Sequence, residues 1–419
     1  MRFFTPVLYR IFSQQAVGGN GTGKTTFVNL IAAALSLDLT QLSSLQFQSI
    51  RIKLVDRKTK KKTRTIKISR KPSDDNIGLD FYEYRIGNKV YPHVVEPRIV
   101  RSRGDRVEQY RRLPAHIREE QLRLKEELLE LVEVSQISVY RQSYVENLDY
   151  DPRQRGSDVD ERLKQLFERF ARYQLKLETR LNEISKKFQQ ETVSSLLYNK
   201  NFDEFDIKKN KLDKIDLRRL SEKLYLAFKE LGIQDRNQDI EKHIQRIQEA
   251  IISLNASRSE GSYPADDVLA LPLIYRTNHI IDSLNISEKE KNEITGFRQE
   301  LLTTLNNFML SKTFFYDKTG ELSFRINQEG SQQFKWSTLS SGEKQLLIQF
   351  LEVLLQENRS VIFIADEPEI SLHVTWQENL LTAIRNLNKN AQLIIATHSP
   401  DIVSDFRDKV LNMEEVVYI

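Results

Sequence analysis

Gly18-Gly19-Asn20-Gly21-Thr22-Gly23-Lys24-Thr25-Thr26 and Val361-Ile362-Phe363-Ile364-Ala365-Asp366-Glu367 decide how this sequence folds. The first stretch fits the pattern G-x-x-x-x-G-K-[ST]. Its glycines let successive backbone N–H groups curl around phosphate oxygens, which a Cβ would obstruct. Apolar residues follow at once and predict a helix over 25–35, with its positive dipole end aimed at the same anion. The second stretch is a continuous apolar run ending in two carboxylates. It reads as a strand buried on both faces whose C-terminal end opens onto a ligand crevice. A glycine-rich turn, or a pair of acids in a solvated turn, is ordinary when found alone. Together, in this order, they point to nucleotide chemistry.

The residue types then suggest roles. Lys24 supplies a point charge to the β- and γ-phosphates of ATP, and the Thr25 hydroxyl can coordinate Mg²⁺. Residues Gly18, Gly19, Asn20, Gly21, Thr22 and Gly23, with Thr26, complete the phosphate cradle. Asp366 is placed to hold the Mg²⁺ shell. Glu367, one residue on, points differently and can orient or deprotonate the attacking water.

Composition sets the bounds. The 419 residues leave room for two or three domains, and 39% hydrophobic with 29% charged residues describes a soluble, charge-rich protein. With no cysteine, disulfides and thiolate metal sites are excluded, and a cytoplasmic location is the natural expectation. The six histidines are scattered, without ligand spacing, which argues against a zinc site. The apolar first residues, interrupted by Arg10, read as a strand rather than a signal peptide. No run reaches the roughly 18 apolar residues of a membrane span.

Three parts follow along the chain. Residues 1–150 form an N-terminal lobe with the phosphate loop and a β-rich stretch, where Ile50, Ile52 and Leu54, then Ile66 and Ile68, alternate with polar residues. The basic segment 57–64 between them reads as a hairpin tip. Residues 151–311 read as a helical insertion. Its stripe Leu163, Leu166, Phe170, Tyr173, Leu177, Leu181, Ile184 and Phe188 marks one long amphipathic helix, and Ile240, Ile244, Ile247, Ile251 and Leu254 mark another. A helix over 212–231 stops at Gly232. Ser287 with Glu290 three residues on predicts a further helix start. The individual helices look too short for a long coiled-coil arm, so a packed subdomain or a stubby arm is expected. Residues 312–419 return to α/β as a C-terminal lobe, with a turn at Asp317-Lys318-Thr319-Gly320 and a strand at 392–396.

Between the two deciding stretches lies Leu339-Ser340-Ser341-Gly342-Glu343-Lys344-Gln345. It resembles the ABC signature sequence in the form common among SMC-like ATPases. That resemblance implies an α/β, ABC-type P-loop head assembled from both chain ends, with a helical insertion between them. It also implies that Ser340 and Gly342 donate hydrogen bonds to the γ-phosphate held by a second copy, with Ser341 and Glu343 in the same nucleotide-facing turn. Pro368-Glu369-Ile370-Ser371-Leu372-His373 occupies the place of the family's D-loop, which passes across the dimer interface. Thr397-His398-Ser399-Pro400 resembles the switch histidine motif, so His398 would sense the γ-phosphate and hold the attacking water. Gln142, at the end of a predicted strand over 137–142, could complete the Mg²⁺ shell as a Q-loop; an ordinary exposed glutamine is the alternative. The phrasing of these motifs is similar to stand-alone ATPases of bacterial antiphage systems, Septu and retron-associated ones among them.

One departure from the pattern is the approach to the phosphate loop, where Ser13-Gln14-Gln15 stand in place of a buried apolar run. The basic residues at 57–64 and 98–112 could contact nucleic acid, or form a solvated hairpin edge; no aromatic interleaving supports base stacking. A net charge of +4 does not decide between them. Little chain follows the His398 motif, so a nuclease under this ATPase's control is expected on another polypeptide. The resulting expectation is a homodimer, or higher homo-oligomer, with ATP sandwiched between heads and a separate effector, possessing no membrane part. A transporter ATPase subunit and a non-hydrolysing nucleotide sensor are the alternatives.

Overall fold

The computed structural model describes residues 6–8, 15–17, 23–56, 63–71, 81–95, 115–138, 158–203, 216–257, 263–327 and 332–413. Two compact units divide the chain, Met1–Phe170 with Glu300–Ile419, and Ala171–Gln299. The first unit opens with β1 (Pro6–Leu8), β2 (Gln15–Val17), α1 (Lys24–Ser36), α2 (Leu39–Ser44) and strands β3 (Ser49–Asp56), β4 (Thr63–Lys71), β5 (Phe81–Ile86) and β6 (Lys89–Val95). It continues through α3 (Ala115–Leu131), β7 (Glu133–Ser138) and the first part of α4 (Asp158–Ser194). The chain then supplies α5 (Lys200–Asp203), α6 (Leu217–Glu230), α7 (Asn237–Ala256), α8 (Ala265–Val268) and α9 (Leu271–Phe308). It ends with β8 (Lys312–Tyr316), β9 (Leu322–Ile326), β10 (Gln333–Lys335), α10 (Ser341–Leu354), β11 (Val361–Asp366), α11 (Val374–Leu387), β12 (Gln392–Ala396) and β13 (Val410–Asn412).

Both ends of the sequence build one parallel sheet, in the order β13-β2-β12-β11-β7. All six residues of β11 are buried, as its unbroken apolar run predicts for a strand covered on both faces. The polar approach at Gln15 does not keep β2 out of this sheet, because pairing is a backbone property: Gln15 is in register with Ile395 on one side and Val410 on the other. Helix α1 buries Val28, Ile31, Ala32, Ala33, Ala34 and Leu35 in a core shared with Ile362, Ile364, Ile394 and Ala396 of the parallel sheet.

A second, antiparallel sheet runs β1-β3-β4-β5-β6. Its register places Ile50 opposite Ile68 and Ile52 opposite Ile66, so the alternation read from the sequence puts these side chains on one buried face, in the same core as α1. The third sheet, β10-β9-β8, is turned at Asp317, whose Oδ1 accepts from Thr319 N at 2.9 Å and Glu321 N at 3.0 Å. Gly320 supplies the left-handed residue of that turn at φ 84°. The basic segment 57–62 and the second basic stretch 98–112 lie outside the described residues.

In the other unit, Leu220, Ile247, Ile251, Leu254, Leu271, Ile274 and Ile281 form one core. Gly232, at φ 76°, follows the end of α6 as a left-handed stop. Two expectations are corrected. No helix starts at Ser287; it lies inside α9 and is 4% exposed. A Ser-x-x-Glu pattern caps a helix only where the preceding residues leave the helical state, and here the apolar positions Ile281 and Leu284 carry the helix straight through. The individual helices are also not short: α4 has 37 residues and α9 has 38, each about 55 Å long at ~1.5 Å per residue.

Candidate nucleotide site

Strand register determines where the site lies. Asp366, the last residue of β11, pairs with Ala396 at the end of β12 and with Ser138 at the end of β7. Ala396 in turn pairs with Ala16 of β2. The four strands are parallel and end flush, so Val17, Ser138, Asp366 and Ala396 all stand at one edge of the sheet. In open α/β sheets this carboxyl edge is where ligands bind.

Helix α1 starts at that edge. Its N-cap is Gly23, at φ 81°, a left-handed conformation that disfavours any residue with a Cβ. No side chain caps the helix and its first turn carries no acid, which leaves its amino end suited to an anion. Lys24 is 5% exposed. Thr25 Oγ1 donates to Asp366 Oδ1 at 3.0 Å across a separation of 341 residues. Two oxygens bound cis at about 2.0–2.1 Å in an octahedral Mg²⁺ shell stand about 3 Å apart, so the hydroxyl and carboxylate fit such an ion in both chemistry and spacing.

The next residue turns away. Glu367 adopts φ 50°, while its N–H donates to Ala396 O at 2.8 Å. Its Oε1 stands 3.5 Å from Nε2 of His398, the second residue beyond β12. The 397–399 turn is itself fastened. Glu369, 8% exposed, accepts through Oε1 from Thr397 Oγ1, from His398 N at 3.0 Å and from Ser399 N at 3.2 Å. Sequence reading passed over Glu369 because its partners lie far along the chain; the available signal was an acid inside an otherwise apolar and small segment.

Ser340 to Glu343 form a capping box at the start of α10. Glu343 Oε2 accepts from Ser340 N at 2.9 Å, and Ser340 Oγ accepts from Glu343 N at 3.4 Å. Lys312 Nζ pairs with Glu343 Oε1 at 2.5 Å. Burial by itself raises the Glu343 pKa, but the Lys312 and Ser340 bonds outweigh it and hold the carboxyl below its ordinary value. Gly342 passes so close to the segment after Glu367 that a Cβ on it would stand 2.5 Å from Ser371 O. His373 caps α11, with Nδ1 accepting from Thr375 N at 3.4 Å. Thus Thr25, Asp366, Glu367 and His398 gather at one sheet edge, and Gly342 lies against the 367–373 segment. Residues Gly18, Gly19, Asn20, Gly21 and Thr22 lie outside the described residues, as does Gln142; β7 is described as far as Ser138.

An α/β sheet with a phosphate-loop sequence running from its β2 into α1, and paired acids at the end of β11, defines a P-loop nucleotide-binding protein carrying a helical insertion. The family described as AAA ATPase domain matches residues 16–403, and the chain belongs to it. No curated protein matches the chain. Among solved structures, the chain is similar to an Smc head domain with an extended coiled coil, bound to the C-terminal domain of ScpA, from Pyrococcus furiosus. The two are 13% identical with a TM-score of 0.40, over 97% of this chain and 92% of that one. It is also similar to an Smc head domain with a coiled coil and joint from Pyrococcus yayanosii, at 12% identity and a TM-score of 0.34, over 94% and 88% of the two chains. Likenesses this distant carry nothing about partner or activity.

Proposed function

We propose that this protein hydrolyses Mg-ATP between two copies of itself, closing head to head, and that the cycle controls a separate effector. The observation that carries the reading is the flush sheet edge, where Thr25 and Asp366 lie 3.0 Å apart and Glu367 and His398 3.5 Å apart. Lys24 and the amino end of α1 bind the β- and γ-phosphates. Thr25 and Asp366 would hold Mg²⁺, which when bound would supply positive charge against the phosphates. Glu367 takes a proton from the water that attacks the γ-phosphorus, the bond to the β–γ bridging oxygen breaks, and ADP and phosphate leave. His398 holds that water and the γ-phosphate in line.

The partner copy's signature turn completes the site in this reading. Ser340 presents its small side chain, and Ser341 and Gly342 their amides, at the start of α10, the arrangement that suits close approach to an anion. Glu343 supports that turn from within. The effector is proposed to be a nuclease on another polypeptide, in antiphage defence or DNA metabolism, a reading supported by the motif phrasing. Among the described residues no helix is long and apolar enough to cross a membrane.

The test is the solution mass of the Glu367→Gln protein with and without Mg-ATP, beside wild-type turnover. ATP-dependent doubling together with wild-type hydrolysis supports the proposal. Nucleotide binding without turnover in a dimeric sample replaces it with a nucleotide sensor.

A further inference from the structure

Glu369 is a buried acid that the proposed hydrolytic steps do not use. One oxygen, Oε1, receives three donors, from Thr397 Oγ1, His398 N and Ser399 N, while the buried Oε2 has no hydrogen-bond partner. Asp317 shows what an ordinary turn acid looks like in this chain. It too collects backbone N–H groups, from Thr319 and Glu321, but on an exposed hairpin where its charge stays hydrated. Glu369 is 8% exposed, so its three bonds are shielded from competing water.

Gln377 of α11 provides a second tie between the same two segments. Its Oε1 accepts from Ser399 Oγ at 2.6 Å, and its Nε2 donates to Leu372 O at 3.0 Å. The 397–399 turn is therefore fastened to the 368–372 segment at both of its ends, on either side of His398. Glu367 precedes that segment directly, and the Gly342 turn lies against Ser371.

We infer that Glu369 is a positioning residue for hydrolysis. By fixing the amides of His398 and Ser399, it sets the imidazole at its distance from Glu367; with Gln377, it makes the histidine turn and the 368–372 segment move as one body. This rests on the ATPase reading above. It adds a consequence: any contact a second copy makes with the 368–372 segment is passed to His398 rather than absorbed by a loose loop.

The experiment compares wild type, Lys24→Ala, Glu369→Gln, Glu369→Ala, His398→Ala and the Glu369→Ala/His398→Ala double variant. Each is measured for kcat, KM for ATP and Tm. A misplacement of about 1 Å at a reacting centre can cost about 10²-fold in rate. Glu369→Ala is therefore expected to lower kcat about 10²-fold with KM little changed. Glu369→Gln, which keeps an acceptor oxygen for the same donors, recovers most of the loss and serves where the alanine variant does not fold. The double variant is expected to be no slower than His398→Ala, because the two residues act through one imidazole.

Multiplicative losses in the double variant, or a kcat loss in both Glu369 variants that only tracks a fall in Tm, overturn the inference while leaving the ATPase reading intact. So does wild-type kcat in Glu369→Ala when Lys24→Ala is inactive. Wild-type turnover that is absent, or that survives Lys24→Ala, sinks the ATPase reading and this inference with it.

Discussion

Oε1 of Glu367 lies 3.5 Å from Nε2 of His398, although the two residues leave the sheet from different strands. The backbone makes this meeting possible. Glu367 is a non-glycine residue at φ 50°, a sparsely populated conformation that persists only when its surroundings impose it. The bond from Glu367 N to Ala396 O continues the β11–β12 ladder by one residue, while the left-handed twist swings the side chain toward the histidine turn. Asp366 keeps the direction that reaches Thr25. Two adjacent acids thus serve two different partners.

Replacement of Glu367 by Gln keeps size and shape but removes the proton acceptor. The expected outcome is a fall in kcat of about 10²-fold or more, with ATP binding retained and the ATP-bound species accumulating. Single-turnover kinetics with labelled ATP reads this directly. Wild-type turnover in this variant removes Glu367 from the role of base.

The Thr25 hydroxyl is expected to matter for metal rather than for nucleotide. Thr25→Ala should raise the Mg²⁺ concentration for half-maximal turnover by about 10–100-fold, the range seen when groups supporting a metal site are removed. Thr25→Ser should restore it, because the oxygen 3.0 Å from Asp366 Oδ1 returns. A Mg²⁺ titration of turnover separates the two variants. If Thr25→Ala and wild type need the same Mg²⁺, the hydroxyl is not a ligand.

Much of the fold was legible because it rests on periodicity. The run 361–365 has no polar interruption and became the fully buried β11; the alternation around Ile50 and Ile66 became a paired, one-sided sheet. Helix α1 follows from the apolar residues after Lys24. The acids at the end of β11 were legible as candidates through their order along the chain. What the sequence did not carry is whatever depends on partners distant in the chain. Thr25 and Asp366 are 341 residues apart, and nothing local announces their hydrogen bond. Glu369 looks like any acid in a turn until the 397–399 amides converge on it. Ser287 misled for the opposite reason: a local capping pattern was overridden by the apolar stripe on both sides of it.

Gly342 is expected to be intolerant of even a methyl group, for a reason internal to one chain. A Cβ there would stand 2.5 Å from Ser371 O, a backbone atom of a residue already at φ 68°. Either the 368–372 segment or the start of α10 has to shift. Overpacking of this kind costs about 1–3 kcal/mol, so Gly342→Ala should lower Tm by several degrees and reduce turnover. Thermal unfolding without nucleotide isolates the intrachain effect from any contact with a second copy. An unchanged Tm there would mean that the close approach is relieved without cost.

Glu343 gives the turn at the start of α10 a pH dependence whose sign follows from its partners. Burial raises its pKa, but the bonds from Lys312 Nζ and Ser340 N more than reverse this and hold the folded carboxyl below its ordinary value of about 4.3. A group depressed in the folded state binds protons more readily in the unfolded state. Its contribution to stability is therefore complete above about pH 4.3 and is lost as the pH falls through the folded value. In Glu343→Gln the charge is gone, so this contribution is missing at every pH. The Tm difference between wild type and Glu343→Gln should be largest near neutrality and should shrink as the pH is lowered through the depressed folded value. Lys312→Met removes the stronger of the two bonding groups and should move the acid loss of stability to higher pH. A Tm difference that stays constant from neutral to acid pH would show that Glu343 holds the turn through shape and neutral hydrogen bonding rather than through its charge.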